Sequence, residues 1–231
     1  MVWPAGGKEL VAGARIEKAL VTIILIHGAW HGPWVWDRVI GPGMIAPALD
    51  LSADASLSSH VAAIGGLIAQ SFSPVLLVGH SYGAAVAHIA ASRWADRVSG
   101  LMCLDGFVLR PGQAVIDLVP PRIRAEWFAS GEMVPPLPVE VMAVNEADRA
   151  WLTAKLQPHP LGCFTEPAPA EPAFEGPRLY LRATGFAFPP FDKIKARLRQ
   201  EGWRVDSIAT GHDVMLAAPG QIKNMLIKND L

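Results

Sequence analysis

Residues 75–88 read VLLVGHSYGAAVAH, and this stretch decides the fold of the chain. Its apolar start, Val75–Val78, is typical of a buried strand, and its Ala-rich end has the spacing of a helix. Between them, residues 79–83 have the form G-x-S-x-G. In a strand–turn–helix setting this motif makes a sharp turn that exposes the serine Oγ at the carboxyl end of a sheet. We therefore interpret Ser81 as a candidate nucleophile, with helix capping as the alternative role of its hydroxyl.

The segments on either side of this turn alternate between strand patterns and helix patterns. Apolar runs at 20–26 and 98–104 predict parallel strands that are covered on both faces. Further strands are predicted at 44–49, 177–183 and 203–208, and helices at 33–39, 56–70, 190–200 and 219–228. This alternation predicts an α/β fold in which helices flank a mostly parallel central sheet. His60 is expected on an exposed face of its helix.

Residues 110–176 interrupt the alternation. This segment holds more than half of the 20 prolines of the chain, together with scattered aromatic residues and short helical patterns at 122–130 and 139–157. Its apolar content is too high for a flexible linker. We therefore predict a single domain over residues 1–231 with a helical, Pro-rich cap insertion at about 110–176. Residues 1–19 are weakly patterned, and no function is assigned to them.

Composition and charge argue against several functional classes. The 231 residues carry a net charge of −1 and form no basic cluster, which argues against a nucleic-acid partner. No apolar run reaches about 18 residues, and the first residues lack the order of a secretory signal. We therefore expect no membrane partner and a cytoplasmic location. A small-molecule substrate is the expected partner, and the sequence is compatible with a homodimer.

The two cysteines, Cys103 and Cys163, lack the spacing of a metal site. Because one of them lies in a predicted buried strand, we expect both to be free thiols in a reducing compartment. The sequence contains no cluster of metal ligands along the chain and no nucleotide-binding motif. No metal and no organic cofactor are therefore expected.

The loop at 27–32, HGAWHG, follows the first predicted strand. A glycine-containing loop at this position can point a backbone N–H into the crevice where ligands of α/β proteins bind. Together with the N–H of the residue after the nucleophile it would form an oxyanion hole, and the candidate donors are Ala29 and Tyr82. His27 is interpreted as a buried structural residue. Candidate residues of the substrate pocket are Trp30, His31, Phe107 and His159, with a plain loop position as the alternative for both histidines.

A serine becomes a useful nucleophile when a base accepts its proton and an acid orients that base. His212 follows the last predicted strand, at the sheet edge where Ser81 lies, and is the candidate base. Asp105 directly follows the strand at 98–104 and is the candidate acid. The order Ser, Asp, His along the chain is typical of enzymes with this turn. Asp192 stays open as an alternative acid, although its place at the start of a helix favours capping.

Three motifs resemble a known family: HGAWHG at 27–32, GHSYG at 79–83 and GHD at 211–213. They resemble the α/β-hydrolase fold superfamily, and within it the small group that contains hydroxynitrile lyases and salicylate-binding methyl esterases. The resemblance covers most of the chain from residue 20 and leaves the cap poorly matched. It implies the α/β-hydrolase fold and a serine hydrolase of the carboxylesterase type, which acts on a small apolar or aromatic ester through an acyl-enzyme.

Two stretches depart from that group. Its members carry the acid soon after the strand before the last one, but residues 182–186 read RATGF and contain no carboxylate. This favours either an acid relocated to Asp105 or a weakened triad. Residues 49–54, LDLSAD, replace a proline-glycine-histidine-glycine loop that helps to shape the site in the group.

Two alternative functions stay open at this point. One is a lyase that uses the same triad as an acid and base pair. It is less expected because relatives of that kind use a lysine near the base, and none lies between Lys195 and Lys223. The other is a ligand-binding protein on a hydrolase scaffold, which a fold resemblance does not exclude.

Overall fold

The computed structural model describes residues 22–142 and 144–228. Residues 20 and 21, the predicted start of the first strand, and the weakly patterned segment 1–19 lie outside the described residues. In the described ranges, no helix combines the length and the apolar composition that a membrane crossing requires.

Parallel strands form the centre of the molecule. In chain order the strands are β1 (Thr22–Ile26), β2 (Met44–Ile45), β3 (Val75–His80), β4 (Val98–Leu104), β5 (Met133–Val134), β6 (His159–Pro160), β7 (Arg178–Ala183) and β8 (Arg204–Ile208). Six of them make one sheet in the order β2-β1-β3-β4-β7-β8, with parallel pairings throughout. β5 and β6 form a separate antiparallel pair. The predicted α/β class with its mostly parallel sheet is confirmed.

Helices flank this sheet and cover the central strands β1, β3 and β4. They are α1 (Leu57–Gln70), α2 (Tyr82–Arg93), α3 (Val115–Leu118), α4 (Pro121–Ala129), α5 (Glu146–Thr153), α6 (Gly162–Thr165), α7 (Pro189–Gln200), α8 (Val214–Ala217) and α9 (Pro219–Lys228), with 3-10 helices at Pro33–Trp36 and Ala95–Arg97. α1 begins where a capping box forms, because the Ser56 and Ser59 hydroxyls each accept a hydrogen bond from the other residue's N–H.

Two predicted elements are shorter in the structure. The strand predicted at 44–49 ends at Ile45, because Pro47 has no N–H to donate to a neighbouring strand. The helix predicted at 139–157 forms only over Glu146–Thr153, since the chain before it makes a turn in which the Val141 N–H donates to the Pro138 carbonyl.

The segment between β4 and β7 contains α3 to α6 and the β5–β6 pair. Trp127 of α4 and Phe164 of α6 are buried in the same apolar cluster as Tyr82 at the start of α2. The insertion therefore shares its core with the part of the chain that carries the G-x-S-x-G motif. Its bounds at about 110–176 and the single-domain interpretation stay predictions.

Two glycines allow α2 to begin close to the sheet. A Cβ on Gly79 would lie 2.2 Å from the carbonyl oxygen of Gly83, and a Cβ on Gly83 would lie 2.4 Å from the carbonyl oxygen of His27. Favourable contacts of a carbon atom have separations of about 3.5 Å or more. The sharp turn at 79–83 therefore forms only because both positions lack a side chain.

We expect Gly83→Ala to destabilise the protein by about 1–3 kcal/mol, because the new methyl group meets backbone atoms that have no room to move. Gly66→Ala is the matched control. Gly66 lies in α1, where a Cβ would meet no atom within 4 Å, and alanine should stabilise that helix by roughly 0.5–1 kcal/mol. Urea denaturation measures both changes, and equal stabilities of the two variants would contradict the prediction.

Candidate active site

Ser81 lies at the turn between β3 and α2 with φ 54° and ψ −118°. A positive φ is uncommon for a residue with a side chain and is unfavourable by roughly 1–3 kcal/mol. The Ser81 N–H donates to the Leu104 carbonyl, and the Ser81 carbonyl accepts from the Phe107 N–H, both at 3.1 Å. The end of β4 and the loop after it therefore hold the serine in this strained conformation.

The ring of His212 connects Ser81 to Asp105. His212 follows β8, and its Nε2 lies 3.0 Å from Ser81 Oγ while its Nδ1 lies 2.7 Å from Asp105 Oδ2. Because a carboxylate only accepts hydrogen bonds, Nδ1 carries the proton and Nε2 accepts from the serine hydroxyl. The structure thus brings together the three residues that the sequence offers as nucleophile, base and acid. All three are buried.

The second oxygen of Asp105 is bound by β7. Asp105 Oδ1 accepts from Arg182 Nη1 at 2.8 Å and from the backbone N–H of Ala183 at 3.0 Å. Burial opposes the charge of Arg182, but the carboxylates of Asp192 and Asp105 outweigh burial and raise the pKa of Arg182. These charge-assisted bonds orient the Asp105 carboxylate and compensate for the removal of its charge from water.

Asp192, the alternative acid, contacts Arg182 and not His212. Its carboxylate accepts from Arg182 Nε at 2.9 Å, and its side chain is 62% exposed. Residues 182–186 contain no carboxylate, and the carboxylate that contacts His212 comes from Asp105 instead. Asp192 lies on the solvent-exposed side of Arg182.

A second buried pair, which sequence reasoning missed, lies next to His212. Asp213 Oδ1 lies 3.4 Å from His31 Nε2, and His31 Nδ1 donates to the carbonyl of Ala29 at 2.8 Å. Burial disfavours a charge on His31, but the Asp213 carboxylate outweighs burial and raises the pKa of His31. Burial likewise opposes the charge of Asp213, yet His31 holds the pKa of that carboxyl below its usual range. The pair ties the loop after β1 to the loop after β8.

His80, inside the G-x-S-x-G motif, supports the loop of His212. Its Nε2–H donates to the His212 carbonyl at 3.0 Å, and the centroids of the two rings are 4.6 Å apart. Burial, together with the neighbouring His212, holds the pKa of His80 well below its ordinary value. The ring is therefore neutral and acts as a fixed support.

The candidate oxyanion-hole residues Ala29 and Tyr82 lie beside Ser81 at one cavity. Neither backbone N–H donates a turn or loop hydrogen bond to another backbone carbonyl of the described residues. Trp30 has φ 66°, and its indole N–H donates to the Val134 carbonyl at 3.0 Å. The insertion thereby anchors the loop that carries Ala29.

The cavity over Ser81 is small and apolar. Its volume is about 30 Å³, well below the roughly 300–1,000 Å³ of typical ligand pockets. The walls are mainly aromatic and include Phe107, Trp127, Phe164, Phe186, Phe188 and Phe191. A ligand that is larger than a small acyl group therefore requires some of these side chains to move.

Of the four predicted pocket residues, Trp30 and Phe107 line this cavity and the two histidines do not. His31 faces Asp213 instead. His159 is fully buried, with its ring centroid 4.8 Å from that of Tyr82. The two histidines therefore lie outside the lining of this cavity, because a loop position near the site does not determine the direction of a side chain.

His60 also departs from its expected exposed position. It is 1% exposed, its Nε2–H donates to the Asp50 carbonyl at 2.7 Å, and its Nδ1 lies 2.9 Å from Tyr82 Oη. Its neighbours on the same face of α1, Leu57 and Ile64, are buried as well. Helical spacing therefore turns the imidazole toward the core.

A model of the alpha/beta hydrolase family matches residues 23–223 of this chain. A carbendazim hydrolyzing esterase of Nocardioides sp. (strain SG-4G) is 29% identical over 240 residues, which cover 90% of this chain and 98% of the esterase. Esterase PIR7B of Oryza sativa subsp. japonica is 32% identical over 93 residues, which cover 33% of this chain and 35% of that protein.

Solved structures share the fold. An extracellular alpha/beta-hydrolase from a Paenibacillus species, described as homologous to tobacco Salicylic Acid Binding Protein 2, superposes with a TM-score of 0.73 at 19% identity, over 90% of this chain and 98% of that one. The methylesterase MES16 from Arabidopsis superposes with a TM-score of 0.63 at 19% identity, over the same shares of the two chains. The fold that the motifs predict is confirmed.

We expect His31→Gln to destabilise the protein more at about pH 6 than at about pH 9. Because the pKa of His31 is raised in the folded state, its ion pair with Asp213 is complete below the ordinary value of 6.5 and is lost as the pH rises through the folded-state value. His88→Gln is the matched control. Burial lowers the pKa of His88 to about 4, so its ring is neutral over this whole range.

Urea unfolding of the wild type and both variants across this pH range measures the effect. The loss of stability in His31→Gln should shrink as the pH rises, while the loss in His88→Gln should grow, because the unfolded wild-type chain protonates His88 near its ordinary value of 6.5 and the folded chain does not. Parallel profiles for the two variants would contradict the ion pair.

Proposed function

Because the chain belongs to the alpha/beta hydrolase family, we propose that it is a serine hydrolase that cleaves small carboxylic esters through an acyl-enzyme. One observation carries the proposal: the line of hydrogen bonds from Ser81 Oγ through His212 to the buried carboxylate of Asp105. The esterases among the relatives support the ester class of substrate.

In the first half of the reaction, Ser81 Oγ attacks the ester carbonyl carbon while His212 Nε2 accepts the hydroxyl proton. The N–H groups of Ala29 and Tyr82 would bind the negative oxygen that develops, and each such donor stabilises the transition state by about 3–4 kcal/mol in comparable enzymes. Collapse of the tetrahedral intermediate breaks the bond to the alcohol. The alcohol leaves with the proton from His212, and the acyl group stays on Ser81.

In the second half, His212 Nε2 accepts a proton from a water molecule, whose oxygen attacks the acyl carbon. Collapse of this intermediate returns the proton to Ser81 and releases the carboxylic acid. Asp105 keeps a proton on Nδ1 throughout and stabilises the imidazolium ion. Arg182 acts through Asp105 by holding its carboxylate toward the ring.

The cavity supports an apolar substrate. Apart from His212, no ionisable side chain that could pair with a charged substrate group lines it in the described part of the chain. A charged group would therefore lose its hydration without gaining a partner. The aromatic walls favour aryl or short acyl groups. Carbendazim belongs among the first compounds to test, because the relative that matches almost over its whole length is named for its hydrolysis.

Two other functions agree less well with the geometry of the site. A lyase of the related group would need a lysine near the base, and none lines the cavity within the described ranges. A triad weakened by the missing carboxylate at 182–186 would favour a ligand-binding role. Asp105 supplies that carboxylate to His212, which removes the main argument for this role.

We expect Ser81→Ala to lower kcat for p-nitrophenyl butyrate by about 10⁶-fold and to abolish labelling by a fluorophosphonate probe. Asp105→Asn should lower kcat by about 10⁴-fold, because an amide no longer selects the Nδ1–H tautomer of His212. Asp192→Asn is the matched control. It loses only a largely exposed ion pair with Arg182, and its kcat should change by less than about 10-fold.

The three variants separate the alternatives. Turnover that survives in Ser81→Ala would disprove the nucleophile. Equal losses in Asp105→Asn and Asp192→Asn would disprove the assignment of the acid. Circular dichroism of each variant checks that it is folded.

We expect kcat/KM for p-nitrophenyl butyrate to exceed that for p-nitrophenyl palmitate by at least roughly 100-fold, because the aromatic walls leave no room for a long chain. Ile123→Ala removes part of the cavity wall that α4 provides and should lower this ratio of the two kcat/KM values. Ile227→Ala, on the exposed side of α9, is the control and should leave the ratio unchanged. A ratio near one in the wild type would contradict the small cavity.

A further inference from the structure

A second group of reactive side chains lies against Tyr82, outside the line from Ser81 to Asp105. It consists of His60 in α1, His159 in β6 and Cys163 in α6, and all three are buried. Their candidate ligand atoms, one from each residue, lie within 4.8 Å of one another. The proposed ester hydrolysis uses none of them.

We propose that His60, His159 and Cys163 bind one Zn²⁺ ion. Two imidazole nitrogens and a thiolate suit zinc, with bonds of about 2.0–2.1 Å to nitrogen and about 2.3 Å to sulfur. A tetrahedral ion with these bonds separates a nitrogen from a sulfur by about 3.6 Å. His60 Nδ1 lies 3.8 Å from Cys163 Sγ. No two of the three ligand atoms are more than 4.8 Å apart, so side-chain movements of roughly 1 Å bring them to the separations that zinc requires.

His60 is already oriented in the way that metal-binding histidines are. Its Nε2–H donates to the Asp50 carbonyl at 2.7 Å, which leaves the lone pair of Nδ1 facing the cluster. A histidine that binds a metal commonly donates its second ring nitrogen to a backbone carbonyl, and this bond fixes the tautomer and the ring. The Tyr82 hydroxyl donates to this lone pair at 2.9 Å, and zinc binding replaces that hydrogen bond with the bond to the ion.

His159 provides the second, independent observation. It has no exposed surface, and neither of its ring nitrogens has a hydrogen-bond partner among the described residues. The large majority of buried polar side-chain atoms are hydrogen-bonded, so an imidazole with two unpaired nitrogens needs an explanation. A metal ion accounts for one of the two nitrogens, because its lone pair then has a partner.

The charge around the cluster favours a cation. Glu166, whose carboxylate accepts a hydrogen bond from the Ser58 N–H in α1, and Asp50, whose carbonyl accepts from His60, place negative charges on segments that contact the cluster. Their negative potential attracts Zn²⁺. When the ion binds, the S–H bond of Cys163 breaks, the sulfur electron pair forms the bond to zinc, and the proton leaves to solvent. The ion would join α1 to two segments of the insertion and so stabilise the folded state.

Zinc titration of the chelator-treated 231-residue chain tests the site. We expect one Zn²⁺ per chain with a Kd below about 1 µM. The melting temperature should rise by about 5–10 °C at a hundredfold excess of free zinc over Kd. Co²⁺ in place of zinc reports the ligands, because a thiolate adds a sulfur-to-cobalt charge-transfer band to the spectrum. Cys163→Ser should lose this band, and His159→Ala should bind at least about 100-fold more weakly.

Cys103→Ser is the matched control, since Cys103 is also a buried free thiol but lies outside the cluster. Its zinc affinity should equal that of the wild type, as should that of Ser81→Ala, so failure of the esterase proposal and failure of the zinc site are distinguishable. A wild-type chain that binds no zinc below about 100 µM, or whose Co²⁺ complex lacks the thiolate band, overturns the proposal without recourse to any variant. Equal affinities of the wild type and Cys163→Ser overturn it too.

Discussion

The buried carboxylate of Asp105 is the interaction on which the rest of the site depends. An isolated charge in a protein interior is unfavourable by several kcal/mol unless it is paired and hydrogen-bonded. Asp105 has no exposed surface and contacts Arg182, the Ala183 N–H and the His212 ring. These partners belong to β7 and to the loop after β8. The charge is therefore compensated only when three strand ends are assembled, which couples the geometry of the site to the folding of this sheet edge.

Alternating charges connect the apolar cavity with the solvent. The proton on His212 Nδ1 faces Asp105, Asp105 faces Arg182, and Arg182 faces the exposed carboxylate of Asp192. Each member of this row is balanced by the next, and the last member is solvated. The carboxylate of Asp105 is thus accompanied by Arg182, which belongs to the stretch 182–186 that contains no carboxylate. Arg182 and Asp105 form one unit, and neither is expected to tolerate substitution without the other.

Tyr82 couples three parts of the structure. Its backbone follows Ser81 in the strained turn, its side chain lines the cavity, and its hydroxyl bonds His60 in the second cluster. Phe164 of the insertion packs against the same ring. A change in the insertion therefore alters the cavity wall, and through it the surroundings of the serine. This packing explains why the insertion shapes the site although its sequence contributes no residue to the triad geometry.

The sequence by itself determined the fold class and offered a candidate nucleophile and base, with Asp105 and Asp192 as candidate acids. The strand at 98–104 is a local apolar pattern, and Asp105 and His212 follow strands that must end at one sheet edge because parallel strands share a direction. The tertiary structure alone decided where the other histidines face. His31 meets a carboxylate, and His60 meets a thiol 103 residues away along the chain. Such contacts depend on side-chain direction and on the packing of distant segments, neither of which leaves a periodic signal in the sequence.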